Sequence, residues 1–157
     1  MNKAIDEILY EYPRLEKEIL ERNRELTEFI KSKNEEYGSL GNGAVKSIPE
    51  GNGEEHNPLL QVILRFDKHV QYLSDKVREL IEQKEYTEKL LDRLDATEKR
   101  IVELRYFQRN GWYRVSIKAL YNESWCREIN RRLLNKLKWW DSQTNIKDQF
   151  NINTSGN

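Results

Sequence analysis

Residues 95–140 read DATEKRIVELRYFQRNGWYRVSIKALYNESWCREINRRLLNKLKWW, and the fold turns on how this stretch is read. It predicts three short helices. Asp95 opens the first, with Glu98 three residues on, so that each carboxylate can accept from a backbone N–H that the first turn leaves unpaired. Ile101, Leu104 and Phe107 or Gln108 then recur at helical spacing, and Asn110-Gly111 is a turn dipeptide that ends the run. A second helix is expected over residues 114–120, with Val115, Ile117, Ala119 and Leu120 as its apolar positions. After Tyr121-Asn122 comes the third, capped by Asn122 or Ser124.

The third helix has two sides. At 100° per residue, Cys126, Ile129, Leu133, Leu137 and Trp140 gather on one face. Ser124, Arg127, Glu128, Arg131, Arg132, Asn135 and Lys138 gather on the other. The first face closes a small core against the two preceding helices. The second presents guanidinium groups, which suit phosphates and the edges of guanine bases.

Charge is distributed to match. The 157-residue chain has 27 Lys/Arg and 27 Asp/Glu, a formal charge of zero. Residues 99–140 alone hold 11 Lys/Arg against 3 Asp/Glu, a local charge of +8, whereas residues 1–57 hold 8 against 13. A basic segment within an acidic chain is a footprint of nucleic-acid binding, although a solvated helix face gives the same count.

These residues resemble a family. ATEKRIVELRYFQRNGWYRVSIKAL followed by INRRLLNKL is similar to the C-terminal region of phage-encoded late transcriptional regulators of the ArpU/RinA type, which carry a helix-turn-helix related to the promoter-reading region of sigma factors. The corresponding residues are Leu104-Arg105-Tyr106, Gly111-Trp112, Ile117-Lys118-Ala119-Leu120 and EINRRLLNKL at 128–137. The upstream half is also similar, with a charged helix, a Gly-rich loop and an Asn-Pro helix start. Between Leu120 and Ile129 the sequence is one residue shorter than the family pattern and lacks its Gly, and Trp125 stands where a small Ser or Thr is usual. The resemblance implies a sequence-specific binder of double-stranded DNA acting in transcription control, encoded by a phage or prophage and working in the bacterial cytoplasm.

Outward from this stretch, the chain predicts long helices. Apolar residues make up 37% of it and charged residues 34%, against the usual ~45–50% and ~25%, a composition that favours elongated helices over a compact core. Over residues 3–33, Ile5, Ile8, Tyr12, Leu15, Ile19, Leu26 and Phe29 alternate at spacings of three and four, a heptad seam with Arg22 in its one gap. Pro13 predicts a break or kink there. Residues 34–57 hold five of the seven glycines and read as a flexible linker, since neither GNGA nor GNGE has the Lys-Ser/Thr of a phosphate loop. Asn57-Pro58 starts a helix of about 54 Å running to about residue 93. Its seam is Leu59, Ile63, Phe66, Val70, Leu73, Val77, Leu80, Leu91 and Leu94, broken by Lys84 and Thr87. The two seams predict an antiparallel pair within the chain, with self-association into a homodimer as the alternative use and the one paired half-sites favour. Residues 141–157, polar and rich in Asn, read as a disordered tail.

The expected architecture is therefore all-α: a coiled-coil-like helical hairpin followed by a three-helix unit. No motif supports catalysis, a cofactor, a metal, a small-molecule substrate or a membrane span. His56 and His69 have no ligand at metal spacing, and Cys126 falls on the buried face as a small hydrophobe. The aromatic residues crowded into residues 106–140 are expected to fill a small core, with base stacking as the sharper alternative. Ser124, Arg127, Glu128, Arg131 and Arg132 are the expected base-reading residues. Arg109, Arg114, Lys118, Lys136 and Lys138 are the expected phosphate contacts. The rival readings are a non-enzymatic module that binds RNA polymerase or another protein, and a phage structural or packaging protein.

Overall fold

A computed structural model describes residues 3–44 and 58–154. The described residues are all-α: α1 (Ile5–Ala44), α2 (Pro58–Leu91), α3 (Ala96–Val102) with a π-helical turn at Glu103–Phe107, α4 (Trp112–Ala119) and α5 (Glu123–Thr154). They divide into two compact units, Met1–Glu16 with Gln83–Asn157, and Lys17–Glu82.

In the unit Lys17–Glu82, α1 and α2 pack antiparallel. The Phe29 ring stacks on Phe66 at 5.5 Å and meets His69 edge-on at 4.3 Å, while Arg22 faces Tyr72. Leu73 and Val77 are buried, and Ile19, Leu26, Phe29, Phe66, Val70 and Leu80 are half-buried. That narrow seam is what two apolar positions in seven supply.

The other unit holds the main core. Ile5 and Leu9 of α1, with Leu90 of α2 and Leu94 in the turn after it, join Ile101, Val102, Leu104, Tyr106, Val115, Cys126, Ile129, Leu133 and Leu137 in one cluster. The three C-terminal helices therefore do not close a core by themselves, as the boundary at residue 95 supposed. This also corrects the expectation of a core filled by rings. Tyr106 is buried and Phe107, Trp112 and Trp140 are half-buried, but Tyr113, Tyr121, Trp125 and Trp139 are exposed. Aliphatic residues from α1 and α2 take the space instead. The break in the α2 seam also closes: Thr87 is buried with its hydroxyl donating to the Gln83 carbonyl at 2.8 Å, and Lys84 pairs with Glu88.

Three boundaries differ from those read in the sequence. First, of the break or kink expected at Pro13 the break is absent: α1 runs through the proline, which has no N–H for the Leu9 carbonyl, and the buried Leu9 and Leu15 anchor the helix on either side. Second, it continues past residue 33 to Ala44, because extending an existing helix costs far less than nucleating one, even across glycine. The rest of the expected linker, residues 45–57, lies outside the described residues. Third, residues 141–154 are helical rather than a disordered tail, and the last part of that expected tail, residues 155–157, lies outside the described residues. No proline interrupts them, and Tyr86 of α2 donates to the Asp141 carboxylate, holding the start of this stretch against the fold.

Candidate nucleic-acid interface

The scaffold begins with a doubled cap. Asp95 accepts from the Glu98 N–H at 2.8 Å and Glu98 accepts from the Asp95 N–H at 3.0 Å, the capping box that the sequence predicts. Glu98 Oε1 also accepts from Lys136 Nζ at 2.7 Å, so one carboxylate ties α3 to α5. Lys136, an expected phosphate contact, is thus tied into the scaffold.

Beyond α3 the chain widens into the π turn, with the Gln108 N–H donating to the Glu103 carbonyl. The altered register turns Tyr106 inward and leaves Gln108 exposed, where a regular helix would have used Phe107 or Gln108. Tyr106 donates to Asn130 Oδ1 of α5 at 2.7 Å, and burial pushes its hydroxyl up to about 12. The buried Asn110 closes the end of the widened turn twice over, its side-chain amide donating to the Leu104 carbonyl at 2.9 Å and its backbone N–H to the same oxygen at 3.2 Å.

α4 and α5 are joined by Leu120, Tyr121 and Asn122. Leu120 takes the left-handed conformation, φ 61°, that glycine usually fills at a helix end. Asn122 caps α5 by accepting from the Trp125 N–H at 2.7 Å, and the Ser124 hydroxyl donates to the same oxygen.

α5 orients as its pattern predicts. Cys126, Ile129, Leu133 and Leu137 are buried, while Ser124, Arg127, Arg131, Arg132, Asn135 and Lys138 are exposed and Glu128 is partly so. Burial raises the Cys126 thiol above its usual range, as befits a core residue. On the exposed face each arginine has an acidic partner. Arg127 donates to Glu123 at 2.8 Å. Arg131 donates to both oxygens of Glu128, from Nε at 3.0 Å and Nη2 at 2.7 Å, and Arg132 Nε donates to the same carboxylate at 3.0 Å. Hydrogen bonds from Arg131 and Arg132 hold the Glu128 carboxyl down to about 2. Two rings support the outer arginines: Arg127 lies 5.8 Å from the Trp112 centroid and Arg132 lies 5.3 Å from that of Trp125.

The expected phosphate contacts fall apart into groups. Arg114 and Lys118 are exposed on α4, and Lys118 donates to Gln108 Oε1 at 3.4 Å. Lys138 is exposed on α5 in line with Arg131. Arg109, at φ 54°, is exposed but leans back to donate to the Tyr10 carbonyl at 3.4 Å and covers the Tyr10 ring. The sequence reading missed Arg105, whose guanidinium lies 4.6 Å from the Trp112 centroid and donates to the Asn110 carbonyl at 3.0 Å. Residues seven apart across a turn leave no periodic trace. Among the described residues no group of acidic, His and Cys side chains could hold a metal ion, and no helix is long and apolar enough to cross a membrane.

The molecule is thus an all-α protein whose C-terminal helix carries an arginine-rich exposed face. Residues 1–139 match the family described as "Protein of unknown function (DUF722)", and the chain belongs to that family. No curated protein and no solved structure matches it.

Proposed function

We propose that this protein is a sequence-specific double-stranded DNA-binding regulator of transcription, encoded by a phage or prophage, that presents α5 to the major groove as the second helix of a helix-turn-helix. The observation that carries the reading is the exposed row Arg127, Arg131 and Lys138 on α5, beside Arg114 and Lys118 on α4, within a segment of charge +8. Arg127, Glu128, Arg131 and Arg132 then face base edges, and Ser124 lies at the entry to the groove through the cap it shares with Asn122. Arg114, Lys118 and Lys138 bind phosphates. Arg109 and Lys136 act mainly within the fold. Two copies read paired half-sites, a role for which the exposed Ile63, Leu64 and Tyr72 of the unit Lys17–Glu82 supply apolar surface.

The test is a polarisation titration of labelled duplexes over a range of salt, preceded by selection of bound fragments from a random-sequence pool. A steep log–log loss of affinity with salt and an enriched motif are expected. A flat salt response would overturn the reading.

A second reading has its own support. Tyr113, Ile117, Leu120 and Tyr121 are exposed along α4 and the turn after it, an apolar surface suited to a protein partner such as RNA polymerase. Under that reading, substitutions at Tyr113 and Ile117 abolish function while leaving DNA affinity untouched.

A further inference from the structure

We propose that Glu128 and Arg131 form a preset guanine-reading pair, so that the DNA site bound by α5 contains a required G·C base pair opposite Arg131. The inference rests on the duplex-DNA reading above and assigns its specificity to one pair of side chains.

The argument is one of donor geometry. A guanidinium carries five N–H donors in a rigid planar fork. In Arg131 the edge formed by Nε and Nη2 is taken by the two oxygens of Glu128, at 3.0 and 2.7 Å. Of the three donors left, one from Nη1 and one from Nη2 form the outer edge of a side chain that is 62% exposed. Two parallel donors on one edge match the O6 and N7 acceptors of guanine in the major groove. Adenine and cytosine present amino donors against the same edge, and thymine offers a single acceptor beside a methyl group. Because the carboxylate already fixes the side chain, less rotamer freedom is lost on reading the base.

The neighbouring arginines lack this arrangement. Arg127 donates to Glu123 from Nη2 alone, and its guanidinium lies toward Trp112. Arg132 gives only Nε to Glu128 and lies over Trp125. Glu128, with three N–H groups donated to it, meets the groove as a charge-compensated carboxylate. Replacing it with the neutral amide removes a negative charge from the face and leaves Arg131 loosely held. Discrimination and general affinity must then move in opposite directions.

The experiment compares the full-length parent, Glu128→Gln and Arg131→Lys. Each is put through selection from a random duplex pool, and each is titrated against a mixed-sequence 20-bp duplex by polarisation. The parent is expected to enrich a motif with an invariant guanine. Arg131→Lys, which keeps the charge but not the fork, loses preference at that base by about tenfold or more. Glu128→Gln loses preference there as well, yet binds the mixed-sequence duplex more tightly than the parent. If both variants keep the guanine at parental frequency, the pair does not read it, and the DNA-binding reading survives. If Glu128→Gln weakens every sequence alike and melts earlier by circular dichroism, Glu128 is structural and the inference is overturned. If the parent enriches no motif, both readings are overturned.

Discussion

Tyr106 shows how much one side chain can carry without a sequence signature. Its hydroxyl reaches Asn130 from a π turn that the local pattern does not announce, because Glu103–Phe107 has the composition of an ordinary helix. Burial holds the phenol neutral up to about 12, against about 10 for a free tyrosine. A proton retained in the folded state but lost from the unfolded one stabilises the fold fully below pH 10, and that contribution disappears as pH rises from 10 through 12. Tyr106→Phe is therefore expected to cost about 1 kcal/mol at neutral pH, by urea titration, through the lost hydrogen bond. Its stability should fall less steeply than the parent's between pH 10 and 12. Equal alkaline slopes would show that this phenol does not contribute.

At the scale of elements, α5 was the most legible part of the chain. Cys126, Ile129, Leu133 and Leu137 repeat at 3.6-residue spacing, and all four are buried. The capping box at Asp95 was legible for the same reason: its chemistry is local. The α4–α5 turn was not. With no glycine in the segment, nothing marks Leu120 as left-handed, yet it takes φ 61° while remaining 88% exposed. A leucine there bears the steric cost of its Cβ and gains little burial in return. Leu120→Gly is expected to stabilise the protein by a few tenths to about 1 kcal/mol, read as a higher urea midpoint with an unchanged slope. A lower midpoint would mean that the exposed leucine makes contacts worth more than the strain. Helix ends were the least legible feature, because both α1 and α5 continue into polar or glycine-containing sequence on the strength of a helix already formed.

Across the whole molecule, zero net charge conceals a divided distribution, and the division could be read by counting. The contribution of α1 and α2 to the C-terminal core could not, since Ile5, Leu9 and Leu90 lie far from residues 95–140 in sequence and nothing local marks the pairing. The charge division sets a prediction for binding. Each neutralised phosphate contributes about 0.9 to the log–log salt slope, so Lys118→Ala should flatten the slope by about one and weaken all duplexes alike. An unchanged slope would place Lys118 off the backbone. A further prediction concerns assembly. Ile63 and Leu64 are adjacent and exposed on α2, Leu64 to 49%. Leu64→Glu is expected to shift the mass measured by sedimentation equilibrium from two chains to one, and a parent that sediments as a single chain would overturn the dimer.

The length of α5 sets a limit on its reach. Its 32 residues extend about 48 Å. The major groove is only about 12 Å wide and winds around the duplex axis, so a rigid rod lies tangent to it over a few turns and then departs. Under the DNA-binding reading proposed above, with Arg127 and Arg131 near the point of tangency, the helix past Trp140 lies beyond the groove, where Tyr86 of α2 ties Asp141 to the protein rather than to the duplex.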